Sequence, residues 1–134
     1  MKLPTAGLLI IRDRRLLLAY SRNKQCFYLP GGKIHDGESP ARALCREIAE
    51  EMDISISEDE LHYYTHITAP AYGESSGTIM EQECFLLTRD VLPRPSAEIA
   101  ELKFFSLHEY LSETHRAPGA VMVLLHLKND NLVD

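Results

Sequence analysis

The stretch from Gly32 to Ile54 reads GKIHDGESPARALCREIAEEMDI and predicts a loop followed by a helix. Ser39 is suited to cap this helix, because its hydroxyl can accept a hydrogen bond from a free backbone N–H. Pro40 fits the first helical position, where no N–H is needed. Apolar residues then recur at helical spacing along one face, namely Ala41, Leu44, Ile48 and Met52. The stretch therefore predicts a helix from Pro40 to about Met52 with one face in a core.

Three carboxylates lie beside this apolar face, on Glu47, Glu50 and Glu51. At about 100° per residue, they project within roughly a third of the helix circumference. Like charges three or four residues apart destabilise an isolated helix by about 0.2–0.5 kcal/mol per pair, so the cluster needs a reason. Mg²⁺ takes oxygen ligands, and it often binds substrate phosphates as well. A solvated, Glu-rich helix face is the alternative interpretation of the same three residues.

The spacing of the charged residues is more specific than the cluster alone. Glu38 follows Gly32 after five residues, REIAEE (46–51) follows after seven more, and Ile54 closes the pattern. This pattern resembles the Nudix box, G-x5-E-x7-R-E-U-x-E-E-x-G-U, where U is a bulky aliphatic residue. The late glycine of the box is Asp53 here, and Asp is one of the few other residues that tolerate a left-handed backbone beyond a helix. We expect this substitution to cost some stability and to leave the metal ligands unaffected.

Two further segments agree with the resemblance. The sequence FYLPG (27–31) is similar to the strand and glycine turn that lead into the box, and EIAELKFF (98–105) resembles the acidic loop and strand found late in these domains. The resemblance implies an α/β fold, the α/β/α sandwich of the family, with a mixed β-sheet flanked by helices. We expect one such domain over residues 1–134.

Outside the box, the apolar pattern predicts further strands and one more helix. The predicted strands are Ala6–Ile11, Arg15–Tyr20, Leu61–Pro70, Thr78–Thr88 and Leu102–Leu107. The first two are predicted to form a hairpin that turns at Asp13 and Arg14. The second helix is predicted over residues 120–128, with an apolar stripe made by Val121, Leu124, Leu125 and Lys128.

The resemblance also implies which residues hold a metal ion. Glu47, Glu50 and Glu51 are the implied ligands, with the backbone carbonyl of Gly31 as a further one. The implied ion is Mg²⁺, with Mn²⁺ as the alternative. Such ions bridge phosphate oxygens and lower the pKa of a bound water.

The resemblance also implies supporting roles for other residues of the box and of the late acidic loop. Arg46 and Glu38 are expected to form an ion pair that holds the loop beginning at Gly32 against the helix. A solvated surface arginine is the alternative for Arg46. Glu98 is the candidate for general base or additional ligand, Glu101 is its competitor, and an exposed loop carboxylate is the alternative for either.

Three residues near the box are candidates for binding the substrate. Arg22 and Lys24 lie in a loop from which they could reach a phosphate, although loop cations are most often solvated. Tyr28 could stack on a base, with core packing as the alternative. The six histidines show no metal-binding spacing and are interpreted as ordinary surface or strand residues.

Composition excludes several classes of protein. The net charge of −6 argues against a surface for a nucleic-acid polymer, but it permits a phosphorylated substrate if metal ions supply positive charge. The three cysteines are widely spaced, which suits a reducing compartment. The apolar run Leu8–Ile11 is too short for a signal peptide or a membrane span. We expect a cytoplasmic monomer or homodimer without a membrane partner.

The resemblance implies a pyrophosphatase, a metal-dependent hydrolase that cuts a diphosphate linkage in a nucleoside diphosphate derivative. A nucleoside triphosphate cut to monophosphate and pyrophosphate is the first interpretation, and a nucleotide sugar or dinucleoside polyphosphate is the second. A non-catalytic nucleotide-binding domain is the third, although three retained glutamates argue against it. Members that remove oxidised guanine nucleotides carry an asparagine near the start of the second helix, and APGA (117–120) has none.

Overall fold

The computed structural model describes all residues from Met1 to Asp134 and contains two β-sheets and three α-helices. A short 3₁₀ turn at Glu58–Glu60 precedes the sixth strand. The strands are β1 (Lys2–Leu9), β2 (Ile11–Arg12), β3 (Arg15–Ser21), β4 (Cys26–Tyr28), β5 (Gly31–Lys33), β6 (Leu61–Pro70), β7 (Ile79–Leu87) and β8 (Ile99–Phe105). The helices are α1 (Pro40–Met52), α2 (Leu107–Leu111) and α3 (Pro118–Asn129).

The first sheet has the strand order β5-β1-β7-β6 and is mixed. Strands β1 and β7 run parallel in a register that extends from Lys2 opposite Ile79 to Leu9 opposite Leu86. The β1–β5 and β6–β7 pairs are antiparallel. The mixed sheet flanked by helices confirms the predicted fold class.

The second sheet is built around β3 and corrects the predicted hairpin. Strand β1 ends at Leu9, and only Ile11–Arg12 pairs with the start of β3. Strand β4 pairs with the end of β3 on the same side, while β8 pairs along its other edge. Both edges of β1 are occupied, by β5 and β7, so β3 has no edge of β1 to pair with. The turn itself is where it was predicted, with left-handed backbone at Asp13 and Arg14.

Helix α1 confirms the prediction at both ends. The Ser39 hydroxyl accepts a hydrogen bond from the Arg42 N–H at 3.1 Å, which caps the first turn. Three of the four predicted core residues are fully buried, namely Leu44, Ile48 and Met52. Asp53 ends the helix with φ 54° and ψ 42°. The position of the late glycine therefore does require the left-handed conformation.

The last part of the chain differs from the prediction in two places. Strand β8 begins at Ile99, three residues before the predicted start at Leu102, and ends at Phe105. The short helix α2 was not predicted, because its five residues are too few to show a helical period. Helix α2 begins with a capping box. The Ser106 hydroxyl accepts a hydrogen bond from the Glu109 N–H, and the Glu109 carboxylate accepts one from the Ser106 N–H.

The predicted stripe of α3 is confirmed at Leu124 and wrong at Leu125 and Lys128, and Val121 is partly buried. The helix buries Ala120, Val123, Leu124 and Leu127, whereas Leu125 is 45% exposed and Lys128 is exposed. The buried residues recur at spacings of three and four, as required of a helix packed on a sheet. Both sides of α3 carry apolar residues in the sequence, so the pattern alone does not identify the buried side.

The apolar core has two parts. One surrounds α3 and α2 and includes Leu9, Leu16, Phe27 and Phe105. The other lies under α1, where Ala6, Leu8, Ile10 and Leu17 pack against the helix. Alternate residues of β1 thus face the two parts of the core. No helix has the length and apolar character needed to cross a membrane.

We expect Asp53→Gly to raise the free energy of unfolding by up to about 1 kcal/mol, because glycine adopts the left-handed backbone without a steric penalty. Asp53→Ala is the control and should lower it, since alanine tolerates this backbone less well than aspartate. Urea unfolding of the three proteins measures both changes. An Asp53→Gly protein less stable than the wild type would contradict the interpretation.

Candidate active site

A cavity of about 330 Å³ lies beside α1 and the first sheet. Its lining comes from β1, β7, the segment around β5, the start of α3 and the inner edge of α1. Four carboxylates line it, those of Glu47, Glu51, Glu74 and Glu98. Glu47 and Glu51 come from the helix that the sequence singled out, and Glu98 comes from the loop before β8. Glu74 lies in the loop between β6 and β7, where Lys33 pairs with it.

Glu51 is the most buried of these carboxylates, with 5% of the residue exposed. The backbone N–H of Gly31 donates to its Oε1 at 2.9 Å, and the Tyr28 hydroxyl lies 3.4 Å from its Oε2. Burial is the main cause that raises the pKa of Glu51 to about 8, and the charges of Glu47 and Glu98 contribute to this rise against the opposing Gly31 hydrogen bond. No cationic side chain pairs with this carboxyl group. The site therefore disfavours the charged form of Glu51, and the protein supplies no cation to stabilise it.

Glu47 lies against the first residue of the box. A β-carbon at position 32 would overlap the Glu47 carboxylate, so only glycine leaves room for it there. Burial raises the pKa of Glu47, while the neighbouring charge of Arg46 lowers it. Glycine at the first position of the box thus has a steric role, because it leaves room for the Glu47 carboxylate at the cavity.

The predicted ion pair between Arg46 and Glu38 is present. The Arg46 Nε and Nη2 atoms donate to the two Glu38 oxygens at 2.9 and 3.0 Å, and Nη2 also donates to the Lys33 carbonyl at 3.1 Å. The His35 N–H donates to Glu38 Oε1 at 2.9 Å. Hydrogen bonding to Arg46 lowers the pKa of Glu38 to about 2. These contacts tie the loop after β5 to α1.

Glu98 is placed by backbone contacts that no local pattern reveals. The Ser96 N–H donates to the carbonyl of Glu51 at 2.9 Å, and the Arg94 N–H donates to the carbonyl of Met52 at 3.0 Å. Free carbonyls at the end of α1 therefore hold the loop that carries Glu98. This contact explains why a residue 47 positions after Glu51 (98 − 51) lines the same cavity.

The Glu98 side chain is anchored through one oxygen only. Its Oε2 accepts hydrogen bonds from the Ser21 hydroxyl at 2.8 Å and from the Asn23 amide at 3.1 Å. Its Oε1 makes no hydrogen bond within the protein. The competitor, Glu101, is exposed on β8 opposite Tyr20 and does not line the cavity.

Two other predicted site residues lie outside the cavity lining. The Glu50 side chain is 57% exposed and lies 3.8 Å from the Arg46 Nη1. The Arg22 guanidinium donates to the carbonyl of Ala97 at 2.9 Å, so it supports the loop that carries Glu98. Lys24 and Tyr28, in contrast, both line the cavity, with the Lys24 Nζ 4.9 Å from the centre of the Tyr28 ring.

The donor set fits a hard divalent cation, although the side chains are not gathered into a closed metal cluster. Carboxylate oxygens are ligands for Mg²⁺, and Glu47 and Glu51 present them in one cavity. The burial of Glu51 without a cationic partner is the observation that favours a cation, because a bound ion would offset the cost of burying the charged carboxylate.

Several cavity residues were not assigned from the sequence, and Lys33, His35 and Gln82 are polar ones among them. Lys33 and His35 follow the glycine turn, and His35 was interpreted as an ordinary surface residue. Gln82 lies in the middle of β7, and its buried side chain faces the cavity. The sequence signal for Gln82 was a polar residue at a strand position whose neighbours two residues away on either side are apolar. For Lys33 and His35 the sequence carries no comparable signal.

We expect Glu38→Gln to destabilise the protein at neutral pH and to have no effect near pH 2. The folded state lowers the pKa of Glu38 from 4.5 to about 2, so the ion pair stabilises the fold above the unfolded pKa and is lost as pH falls through the folded value. Glutamine keeps an acceptor for the His35 N–H. Urea unfolding between neutral pH and about pH 3 measures the difference, with Glu101→Gln as the control. A difference that does not change with pH would contradict the ion-pair assignment.

Comparison with known proteins identifies the family. The NUDIX domain family model matches residues 1–125. A MutT NUDIX hydrolase from Burkholderia pseudomallei is 24% identical over 94% of this chain and 97% of that one, with a TM-score of 0.74. The dihydroneopterin triphosphate pyrophosphohydrolase of E. coli is 13% identical over 95% of both chains, with a TM-score of 0.71.

A third similar structure comes from a longer protein. The bifunctional NMN adenylyltransferase/ADP ribose pyrophosphatase from Francisella tularensis, complexed with AMP and a Mn ion, is 20% identical. The match covers 97% of this chain and 42% of that one, with a TM-score of 0.69. No curated protein sequence matches significantly. The family model covers nearly the whole chain, and the chain belongs to the Nudix hydrolase family.

Proposed function

We propose that this protein hydrolyses a nucleoside triphosphate to the monophosphate and pyrophosphate in a metal-dependent reaction. The observation that carries the proposal is the convergence of Glu47, Glu51 and Glu98 on one cavity. A cavity of about 330 Å³ has the size of a small-molecule site. Family membership supports hydrolysis of a diphosphate linkage as the reaction class.

Glu47, Glu51 and the backbone carbonyl of Gly31 are the proposed metal ligands inside the cavity. Glu50 adds a carboxylate from the solvent side, where it interacts with Glu47. A bound Mg²⁺ or Mn²⁺ supplies positive charge for the phosphate oxygens and makes a coordinated water more acidic. Arg46 and Glu38 position this part of α1 and the preceding loop, and they do not line the cavity.

Glu98 is the proposed general base. Its Oε2 is fixed by Ser21 and Asn23, which leaves Oε1 free to accept a proton from an attacking water. A fixed carboxylate with one open oxygen suits this task, because a general base must lie within hydrogen-bond reach of the proton it removes. Arg22 supports this geometry by holding the carbonyl of Ala97.

Basic side chains at the cavity are proposed to bind the phosphate chain. Lys24, Lys33 and His35 line the cavity near its carboxylates. The Lys24 ammonium lies over the Tyr28 ring, and the Lys33 Nζ is 3.8 Å from the Glu74 carboxylate. Because the chain has a net charge of −6, these groups and the metal would supply the local positive charge that a polyphosphate needs.

A nucleotide sugar or dinucleoside polyphosphate is the second candidate substrate. The Francisella tularensis relative is described as an ADP ribose pyrophosphatase, and the E. coli relative as acting on dihydroneopterin triphosphate. Both compounds contain an internal diphosphate linkage. The same carboxylates would serve either substrate, so the two candidates differ in the group beyond the cleaved bond.

The proposal predicts which bond is cut. In ¹⁸O-labelled water with Mg²⁺, a nucleoside triphosphate should give monophosphate and pyrophosphate, with the label in one of these two products. Simple phosphate monoesters should remain uncut, since they lack the diphosphate linkage on which the proposed reaction acts. A chelator should abolish turnover, and Glu51→Gln should lower kcat at least about 100-fold while the protein stays folded. Label found only in orthophosphate, or near-normal turnover by Glu51→Gln, would refute the proposal.

Glu98 and Glu101 give a paired test of the general base. Glu98→Gln should lower kcat by about 10²- to 10⁴-fold, as expected for loss of a general base. Glu101→Gln is the matched control, an exposed carboxylate on the same segment, and should change kcat less than about twofold. Steady-state kinetics at saturating metal measures both. Damage by Glu101→Gln with a normal Glu98→Gln enzyme would reverse the assignment.

A further inference from the structure

Gln82 is a buried amide with an unused acceptor. Only 5% of the residue is exposed, and its Oε1 is buried without a hydrogen-bond partner. Buried polar atoms in folded proteins are nearly always paired, so an unpaired one needs an explanation. Gln82 lines the same cavity as Glu47, Glu51 and Glu98. The Oε1 atom itself is closed off from solvent, so a ligand in the cavity would supply the missing donor after a turn of the terminal amide.

The register of the first sheet places Gln82 on the sheet face that forms one wall of the cavity, which we call the cavity floor. Gln82 lies opposite Thr5 of β1, and Met80 lies opposite Leu3. Alternate residues of a strand share one face, so these four side chains lie on the same face of the sheet. All four line the cavity. The Thr5 hydroxyl already donates to the carbonyl of Glu81 at 3.5 Å, which leaves the Gln82 amide as the floor's unpaired polar group.

Two glycines shape the space around this floor. A β-carbon at Gly7 would overlap the Leu29 side chain and lie 3.0 Å from the Cδ and Nε2 of Gln82. A β-carbon at Gly119, at the start of α3, would lie 2.6 Å from the Cε of Met80. Glycine at these positions lets Leu29 and α3 approach the floor closely. The result is a confined, mostly apolar space around one amide.

The cavity therefore joins two chemically different regions. One contains Glu47 and Glu51 and suits metal-bound phosphates, while the other contains Leu3, Met80 and Gln82. A nucleotide has the same division, between a charged phosphate chain and a flat base whose edge carries hydrogen-bonding groups. The apolar floor matches the face of a base, and the unpaired acceptor matches an N–H group on its edge.

We propose that Gln82 selects the base of the substrate, with its Oε1 accepting a hydrogen bond from an exocyclic amine. The adjacent Nε2 donates to the neighbouring ring nitrogen, which is the two-point contact that a carboxamide makes with adenine. Cytosine carries the same pair of groups. This inference rests on the proposed function and narrows its substrate class to nucleotides with an amino-substituted base. Gln82 is thus a specificity residue and takes no part in bond cleavage.

The test deletes the amine from the ligand and the amide from the protein. We compare ATP with the triphosphate of purine riboside, which lacks the amine, and CTP with its analogue lacking the 4-amino group. In the wild type, loss of the amine should lower kcat/KM about tenfold to hundredfold for one of these pairs. In Gln82→Met and Gln82→Leu, the same pair should differ less than about twofold. The two arms show whether adenine or cytosine is the base.

Thr5→Val is the matched control, since it changes a neighbouring floor residue whose hydroxyl is already paired. It should leave the effect of deleting the amine unchanged. The thermal midpoint gives an independent measurement. Gln82→Met and Gln82→Leu should be at least as stable as the wild type, because they remove an unpaired buried acceptor. An amide with a purely structural role would instead lower stability when replaced.

The inference would be overturned if loss of the amine lowered kcat/KM equally in the wild type and in both Gln82 variants. It would also be overturned if loss of the amine left kcat/KM of the wild type unchanged for both ATP and CTP. Failure to hydrolyse any nucleoside triphosphate would refute the proposed function and require a direct binding measurement. Calorimetric titration with AMP, CMP and their forms lacking the amine, at saturating Mg²⁺, then decides the role of Gln82. Loss of the amine should weaken binding to the wild type and not to Gln82→Met.

Discussion

The hydrogen bond from the Gly31 N–H to the Glu51 carboxylate joins the start of β5 to the last turn of α1. It holds a buried carboxyl group between two consecutive elements of the chain. The charged form of this group is unfavourable there, because it is buried beside Glu47 and Glu98, as the raised pKa of Glu51 shows. The fold tolerates this cost because the rest of α1 is anchored in the core through Leu44 and Ile48. Stability elsewhere on the helix thus permits a destabilising group at the cavity.

The same helix positions neighbouring segments through contacts at two points along its length. Near its middle, Arg46 fixes the preceding loop through Glu38, and at its end the carbonyls of Glu51 and Met52 fix the loop that carries Glu98. Glu47, Glu51 and Glu98 are therefore positioned relative to one rigid element. Groups held in this way are ordered before any ligand binds, which is how electrostatic stabilisation becomes effective. The opposite side of the cavity is supplied by the sheet and by α3.

Local signals in the sequence were enough to predict α1, from its Ser39 cap to the left-handed backbone at Asp53. Both of these features depend only on residues within or next to the helix. The local signals also predicted the Arg46–Glu38 pair, through a spacing that resembles a known family. Contacts between distant segments were not predictable from local signals, including the pairing of β3 with β8, and only the family resemblance pointed to Glu98. The stripe of α3 was wrong at Leu125 and Lys128 because apolar residues surround that helix. Gln82 was missed because its meaning depends on a cavity that only the assembled sheet creates.

The parallel pairing of β1 with β7 also has a consequence for how the chain folds. Lys2 lies opposite Ile79, so this partner of β1 is synthesised about 77 residues later (79 − 2). Contacts this distant in sequence slow folding, because a long loop must close before the contact forms. Until β7 arrives, one edge of β1 and its apolar residues Leu8 and Leu9 lack their final partner. An unpaired apolar strand edge favours pairing between chains, so nascent or slowly folding molecules should be the form most prone to aggregate.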